Sequence, residues 1–366
     1  MPGRVRGGLV TGNAEEEPTA VGQTEPGSSA EHLALIESAG LLDESSRRVL
    51  SISGDRAGEM LHGLVTNDVK RLSVGEGLYT FMLTPKGRPV AEMRLLRLES
   101  EFWMDMPGSC VESGLAHLRK YLPPIFARFD ETDLCRLAIV GPLAEAAIDG
   151  WAGASVTEGL DPLESRPLEV AGREARLARR EAIEGPGFDL YVSAGERDKV
   201  RSGLADSVLE LGGREVGPDA WEILRVERGI PIFERDFTDK NLAQETGQDS
   251  RAISFDKGCY TGQEVVARIH FRGHVNRILR GCRLAEPSAG HSGATALEAG
   301  RPLFEGDRER GVISSPVDSP RFGHIALCLA RAEIEPGTRL ALEASAEQIV
   351  EIVELPFDPI LPMDPG

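Results

Sequence analysis

The residues with the clearest potential for chemistry lie in the segment KGCYTGQEVVAR, from Lys257 to Arg268. Its single cysteine, Cys259, follows that lysine by two positions and precedes the arginine by nine. Neighbouring positive charge favours the thiolate, which is the form of cysteine that attacks electrophiles or binds metals. Cys259 is therefore a candidate nucleophile or ligand, although a free cysteine is more commonly a small buried side chain.

The segment VVARIHFR, residues 265–272, alternates apolar and polar residues. A period of two predicts a β-strand. On this interpretation KGCYTGQE is a loop leading into the strand, in which Gly258 and Gly262 permit backbone conformations that side chains would forbid. Gln263 and Glu264 either anchor that loop by hydrogen bonds or hold a substrate amide, and their spacing does not separate the two.

Positive charge is concentrated between residues 251 and 283, where seven basic residues face two acidic ones and leave +5 in a chain of −18. Such a cluster is either a solvated face or a mouth that attracts a polyglutamate tail, a phosphate or an acidic partner. His270 and His274 with Cys259 form an incomplete ligand set, so no metal site is predicted. The basic residues are Arg251, Lys257, Arg268, Arg272, Arg277, Arg280 and Arg283.

The segment PDAWEILRVERG, residues 218–229, predicts a helix that a proline opens and a glycine closes. Helical spacing places the carboxylate of Glu227 on its apolar face. That carboxylate either forms a buried ion pair or recognises a hydrogen-bond donor such as the amino group of a fused ring. Trp221 at the start of the helix either stacks on a flat ligand or belongs to the core.

Composition limits the classes of protein that the chain can belong to. Its 366 residues, 41% of them hydrophobic, suffice for two or three domains with their own cores. The charge of −18 opposes binding to nucleic acid or an anionic membrane. Five cysteines at irregular spacings favour a reducing compartment. Because the sequence shows no secretory or transit signal and no apolar run of about 18 residues, a cytoplasmic location is predicted.

The order of patterns predicts a disordered tail at 1–30, an α+β region at 31–275 and a small β-barrel at 276–366. The tail is rich in Gly, Pro and Glu, and the last region has short strands between Gly and Pro turns. The α+β region divides into two subdomains. Predicted elements there are a strand at 48–54, a helix from 57 ending at the turn 66–68, a hairpin of 78–84 with 89–98, and strands at 134–141 and 188–194.

Four segments together resemble the YgfZ family of folate-binding proteins. They are KGCYTGQEVVAR, RVERGIP at 225–231, LVTNDV at 64–69 and LTPKGRPV at 83–90. Their order and spacing agree with that family from about residue 35 to the end, and the first of them is the most specific. The family belongs to a larger group that includes the T-protein of the glycine cleavage system, an aminomethyltransferase.

The resemblance implies a T-protein-like assembly of two α+β layers around a folate channel, with a C-terminal β-barrel. It also implies tetrahydrofolate as cofactor, a possible transient iron–sulfur cluster, and iron–sulfur carrier or client proteins as partners, with no direct contact to nucleic acid or membrane. Lys257 and Cys259 match the motif residues on which such proteins are thought to depend. The cofactor-binding residues predicted are Tyr79, Trp221, Glu227, Tyr260, Gln263, Glu264 and Arg268.

The sequence also departs from the T-protein pattern. Where T-proteins have paired aspartates after the hairpin, this chain has Ala91 and Glu92, and Glu92 keeps an acid on a longer arm as the third candidate catalytic residue. Met106 stands where T-proteins offer an asparagine to folate, and Ala243 replaces a usual proline. T-proteins also lack the KGCYTGQE loop, which favours a role other than aminomethyl transfer.

Three functions follow from these patterns. The first is a folate-binding accessory factor for the assembly or repair of iron–sulfur proteins, including enzymes that modify transfer RNA. The second is a folate-dependent aminomethyltransferase or demethylase with Glu92 near the transferred carbon. The third is a non-enzymatic docking protein whose basic cluster binds an acidic cluster carrier.

Overall fold

Three β-sheets organise the residues that the computed structural model describes, namely 26–285, 296–347 and 349–357. Most of the predicted tail, residues 1–25, lies outside these ranges, as do parts of the predicted barrel. The helices are α1 (Pro26–Glu37), α2 (Ala57–Leu64), α3 (Val111–Tyr121), α4 (Ala144–Ala152), α5 (Arg197–Glu210), α6 (Pro218–Glu227), α7 (Asp249–Ala252) and α8 (Gln263–Arg272).

The strands are distributed over the whole of the described chain. In order they are β1 (Gly40–Asp43), β2 (Arg48–Ser53), β3 (Gly77–Leu83), β4 (Pro89–Arg97), β5 (Glu101–Met106), β6 (Arg128–Glu131), β7 (Leu134–Val140), β8 (Ser165–Val170), β9 (Arg173–Arg179), β10 (Gly187–Ser193), β11 (Arg214–Val216), β12 (Arg277–Leu284), β13 (Pro302–Glu305), β14 (Arg308–Ser319), β15 (Gly323–Arg331), β16 (Arg339–Leu340) and β17 (Val350–Val353).

The first sheet has the strand order β3-β4-β5-β2-β6. The predicted hairpin is confirmed, since β3 and β4 pair antiparallel around a turn in which Gly87 has φ +72°, a region that favours glycine. Helix α2 is shorter than predicted. It ends at Leu64, and the chain then becomes extended so that Val65 bridges to Met82 of β3.

The second sheet has the order β11-β1-β7-β10-β9-β8, and only β1 and β11 pair in parallel. One of its faces packs against α4 and α5, and the other against α1 and α6. The helix predicted after Pro218 is confirmed as α6, whose Ala220 and Leu224 join that second core. Because this apolar face of α6 is buried in the core, the orientation of the side chains on its other faces is fixed as well.

The third sheet, β13-β14-β15-β12-β17-β16, curls almost into a barrel. Phe304 in β13 and Ala341 next to β16 exchange two backbone hydrogen bonds of 2.8 Å, which brings the two edge strands together. This arrangement confirms the predicted class, two α+β layers with a small C-terminal β-barrel. The boundary between residues 275 and 276 stays a prediction.

The strand predicted at 265–272 is wrong, because these residues form helix α8. Glu264 in the first turn pairs with Arg268 one turn later at 2.8 Å, and His270 and Arg272 lie in the last turn, where positive charge suits the helix dipole. Val266 is the one fully buried side chain of this helix. With one buried side chain, this short segment is compatible both with the two-residue period of a strand and with the 3.6-residue period of a helix. Its alternation was therefore not evidence for a strand.

Candidate functional site

A cavity of about 680 Å³ lies between the first and second sheets. The first sheet contributes side chains from β3 and β4, and the second contributes the end of β1, strand β7 and the helix α6 that covers it. Its size is typical of sites for small organic ligands. The polar and aromatic residues on its wall include Glu44, Arg47, Tyr79, Glu92, Arg94, Arg136, Arg180, Glu184, Trp221, Arg225 and Arg251.

Two of the predicted site residues, Tyr79 and Glu92, form a buried pair on this wall. Because Phe81 pairs with Glu92 across β3 and β4, Tyr79 sits two residues from that register position, on the same face. The Tyr79 hydroxyl donates to one carboxylate oxygen, and the backbone N–H of Phe233 donates to the other at 2.9 Å. The Arg251 guanidinium lies 3.7 Å from the centre of the tyrosine ring.

Burial sets the protonation of this pair. It raises the pKa of Glu92, and the two hydrogen bonds to the carboxylate offset that rise only in part. Burial, together with the charge of Glu92, raises the pKa of Tyr79 well above its usual value. Glu92 therefore keeps its proton to a higher pH than an exposed carboxyl group does, and Tyr79 stays a neutral hydrogen-bond donor.

An ionic network joins the first and second sheets at the cavity wall. Asp105 accepts from Arg47 at 2.7 Å, from Arg136 at 2.6 Å and from the Tyr191 hydroxyl at 2.9 Å. Burial raises the pKa of Asp105, but Arg136 and Arg47 outweigh it and lower the value to about 2. The carboxylate is therefore charged and fixes both guanidinium groups.

The same network continues through two further carboxylates. Glu44 accepts from Arg136 at 2.7 Å and from Arg180 at 2.9 Å, and Glu184 pairs with Arg94. Despite burial, these arginines hold the pKa of Glu44 well below its usual range and that of Glu184 at about 2. No sequence pattern indicated this network, because its partners come from strands far apart in the chain.

Trp221 lies in the cavity and Glu227 does not. Trp221 is half-buried, with the Arg180 guanidinium 4.9 Å from its ring centre. Glu227 lies six residues after Trp221, and at 3.6 residues per turn its side chain points to a different side of α6. Its carboxylate lies 3.0 Å from His32 of α1 and accepts from Ser319 of β14 at 2.6 Å, so it links two helices to the barrel.

Lys257 opens the segment 257–262, which we call the cysteine loop, and its side chain is buried. Its Nζ donates to the carbonyl oxygens of His62, Val65 and Asn67 at 2.5, 2.7 and 2.8 Å. Burial lowers the pKa of Lys257 to about 7, while three carbonyl acceptors favour the charged form and counter that shift. In this structure Lys257 fastens the loop to the end of α2 and does not face the cavity.

The remaining loop residues divide between surface and core. Cys259 is exposed, whereas Tyr260 is buried in the core of the first sheet, where burial raises its pKa to about 12. Glu264 pairs with Arg268 on the exposed face of α8, and Gln263 is half-buried beside them. None of the cysteine-loop or α8 side chains lines the cavity. The predicted site thus separates into a cavity and a loop.

Asn67 connects these two regions. Its side-chain amide donates to the carbonyl oxygens of Tyr79 at 2.9 Å and Arg251 at 2.8 Å, and both of those residues line the cavity. Its own carbonyl oxygen accepts from Lys257. The turn after α2 is therefore in contact with the cavity wall on one side and with the cysteine loop on the other.

The basic cluster predicted at 251–283 does not form one exposed surface. Arg251 pairs with Glu181, Arg268 with Glu264, and Arg283 with Glu351, while Lys257 is buried. The basic residues of the segment that are exposed and make no ion pair with any described residue are Arg272 and Arg277. Of the basic surface that could attract anions, two exposed arginines near the end of α8 are left.

Within the described ranges, no group of three or more His, Cys, Asp or Glu side chains is arranged to hold a metal ion. Nor does any helix there combine the length and apolar character needed to cross a bilayer.

Comparison with known proteins agrees with this geometry. Residues 15–257 match the model of the GCVT N-terminal domain. The chain belongs to this family. The aminomethyltransferase of Saccharopolyspora erythraea is 28% identical over 352 residues, covering 90% of each chain, and that of Rubrobacter xylanophilus is 26% identical over 334 residues, covering 90% of this chain and 86% of the other. Both relatives are similar over nearly their whole length.

The GCVT assignment extends to the three-dimensional fold. The glycine cleavage system aminomethyltransferase T from Bartonella henselae superposes with a TM-score of 0.78 at 22% identity, covering 90% of this chain and 89% of that one. The T-protein fold expected from the sequence is therefore confirmed, with its C-terminal barrel included.

Proposed function

We propose that the cavity between the first and second sheets binds tetrahydrofolate. The observation that carries the proposal is the buried Tyr79–Glu92 pair beside the half-buried Trp221 in a cavity of about 680 Å³. A pterin ring is flat and carries amino and ring N–H donors, which suit a carboxylate and an indole. Arginines on the same wall suit the carboxylates of its tail. When bound, tetrahydrofolate would supply a one-carbon unit.

Binding is measured by anaerobic calorimetry of the purified full chain with tetrahydrofolate. Trp221→Leu should weaken binding about tenfold, because a stacking surface is lost. Trp151→Leu is the matched control, since this half-buried tryptophan packs on the other face of the second sheet, away from the cavity. Equal affinities for wild type and Trp221→Leu would place the ligand elsewhere.

We further propose that the protein acts in the cytoplasm as an accessory factor for the assembly or repair of iron–sulfur proteins, including enzymes that modify transfer RNA. The exposed thiol of Cys259, on a loop that Lys257 anchors by three hydrogen bonds, supports this role together with the similarity of that loop to the YgfZ motif. Such a thiol is accessible to a client protein while its backbone stays in place.

The test compares strains that carry the wild-type chain, Cys259→Ala or Cys135→Ala, with Cys135 as a half-buried thiol of the second sheet. Cys259→Ala should lower the activity of cluster-dependent enzymes, and the control should not. Normal activities in the Cys259→Ala strain would refute the accessory role and leave folate binding unaffected.

A folate-dependent aminomethyltransferase is the second candidate, because Glu92 places an acid on the cavity wall and the relatives of matching length are aminomethyltransferases. A raised pKa suits a group that exchanges protons near neutral pH. The discriminating assay is tetrahydrofolate turnover with methylamine donors. Turnover that Glu92→Gln abolishes would favour the transferase, and no turnover with any donor would favour the accessory factor.

A further inference from the structure

An imidazole–carboxylate pair lies beside the cysteine loop and has no part in the folate cavity. His62, at the end of α2, is 7% exposed. Its Nδ1 lies 3.3 Å from a carboxylate oxygen of Asp68, yet it makes no aligned hydrogen bond with any described residue. Its other ring nitrogen, Nε2, faces the loop, since a β-carbon placed on Gly258 would lie 3.7 Å from it.

Two anchors hold the cysteine loop beside this histidine. On one side of the cysteine, Lys257 donates to the carbonyl oxygen of His62 at 2.5 Å. On the other side, the N–H of Thr261 donates to the carbonyl oxygen of Gly63 at 3.1 Å. The stretch between them is three residues long with Cys259 at its centre, so the backbone of Cys259 is held next to the segment that carries His62.

The charges around His62 favour a neutral ring that accepts at Nε2. Burial and the positive charges of Lys257 and Lys70 lower the pKa of His62, and Asp68 opposes them. A carboxylate beside Nδ1 keeps the remaining proton on that nitrogen. Nε2 is then left with a free lone pair toward the loop, which is the arrangement a base requires.

We propose that His62 is the base that deprotonates Cys259, that Asp68 positions the imidazole, and that the resulting thiolate reacts with a soft electrophile such as disulfide or persulfide sulfur. The proton passes from Sγ to Nε2. Sγ then bonds to one sulfur of the electrophile, and the other sulfur leaves as a thiolate or sulfide with the electrons of the broken bond. This inference rests on the proposed function only for the client protein that carries the electrophilic sulfur, because the reaction itself needs no folate.

In the structure the Cys259 side chain is exposed, and its Sγ makes no hydrogen bond with any described residue. Hydrogen bonds between a nucleophile and its base are often open without substrate and close when the substrate binds. We therefore expect the hydrogen bond between Sγ of Cys259 and Nε2 of His62 to form when a substrate binds. The reactivity of the thiol tests it.

The experiment follows alkylation of Cys259 by iodoacetamide as a function of pH, without folate, in the native full chain. Sγ displaces iodide, and mass spectrometry of peptides separates Cys259 from the half-buried Cys135. At pH 7 the wild type should react about tenfold faster than His62→Gln, because the variant lacks the base. His274→Gln, an exposed histidine past α8, should leave the profile unchanged.

His62→Gln keeps the backbone carbonyl that Lys257 uses, and thermal unfolding checks that the variant is folded. If it is not, Asp68→Asn carries the test with an expected slowing of two- to threefold, since its amide oxygen can still accept from the N–H of Lys70. Superimposable profiles for wild type and either folded variant, or an ordinary thiol profile for the wild type, would overturn the proposal. The alkylation needs no folate, so the two proposals fail separately.

Discussion

The cavity and the cysteine loop are built in opposite ways. The cavity assembles side chains from strands that are distant in sequence, and buried ion pairs such as those of Asp105 hold its wall. The loop is one short segment, which a buried lysine and the N–H of Thr261 fasten by hydrogen bonds to backbone carbonyls. A wall of paired charges resists rearrangement around a ligand, whereas a short exposed loop can present a side chain to another protein.

Acid should produce the largest difference between the two regions. The folded-state pKa values of Glu44, Asp105 and Glu184 are lowered, so their stabilisation is complete above the unfolded values near pH 4 and is lost as the pH falls toward about 2. Glu92 and Glu181, with raised values, act in the opposite sense and offset part of this. The temperature of unfolding should therefore drop steeply between about pH 4 and pH 2.

Asp105→Asn is the control for this titration, because it removes one of the lowered carboxyl groups and should flatten the decline. Calorimetric scans at each pH provide the measurement. An unfolding temperature that stays constant down to about pH 2 would show that the network does not stabilise the cavity wall.

Asp105→Ala at pH 7 should have the next largest effect, a loss of about 3–5 kcal/mol in the free energy of unfolding, because the buried Arg136 and the half-buried Arg47 lose their shared carboxylate. Glu59→Ala breaks an exposed pair with Arg56 and should change the free energy of unfolding far less. Urea unfolding compares them. Equal effects would mean that the buried network is no more important than a surface pair.

Lys257→Met should cost about 2–3 kcal/mol, because it leaves three carbonyl oxygens at the end of α2 without their donor. Hydrogen exchange should also quicken in the cysteine loop and stay slow in the strands of the cavity. Lys86→Met, at the exposed hairpin turn, is the control. A loop that exchanges as slowly in Lys257→Met as in the wild type would disprove the anchor.

Cys259→Ala should have the smallest effect on stability, below about 0.5 kcal/mol, because the side chain is exposed. Cys282→Ala in the barrel core should cost about 1 kcal/mol or more, since it leaves a space among fully buried side chains. The two urea curves form a matched pair of cysteine truncations. A large loss for Cys259→Ala would mean that the thiol supports the fold.

The sequence predicted what local pattern determines. The hairpin around Gly87 and the helix that begins at Pro218 follow from turn chemistry and helical period, and both are present. The strand at 265–272 was wrong because one buried residue, Val266, is too little to distinguish the two periods. The structure exposes Cys259 and buries Glu92 on the cavity wall, and the roles predicted for both stay predictions.

Other features depend on tertiary contacts that no spacing encodes. Asp105 and Arg136 are 31 positions apart, and Arg47 is 58 positions from Asp105, so their pairing follows from strand order. Lys257 was predicted to favour the thiolate because it is two residues from Cys259. Its amine instead donates to backbone carbonyl groups nearly 200 positions earlier in the chain. Nearness along the chain did not predict which side chains meet.

Asn67 has a consequence for both regions, since its side chain holds the backbone at Tyr79 and Arg251 while its carbonyl oxygen holds Lys257. Any ligand whose binding shifts Tyr79 changes the position of an acceptor of the loop lysine. Linkage makes such a coupling reciprocal. Ligand binding in the cavity and loosening of the cysteine loop are then coupled. If a ligand changes the equilibrium constant for loosening of the loop by some factor, a chemical change at the thiol that loosens the loop changes the affinity of the cavity for that ligand by the same factor.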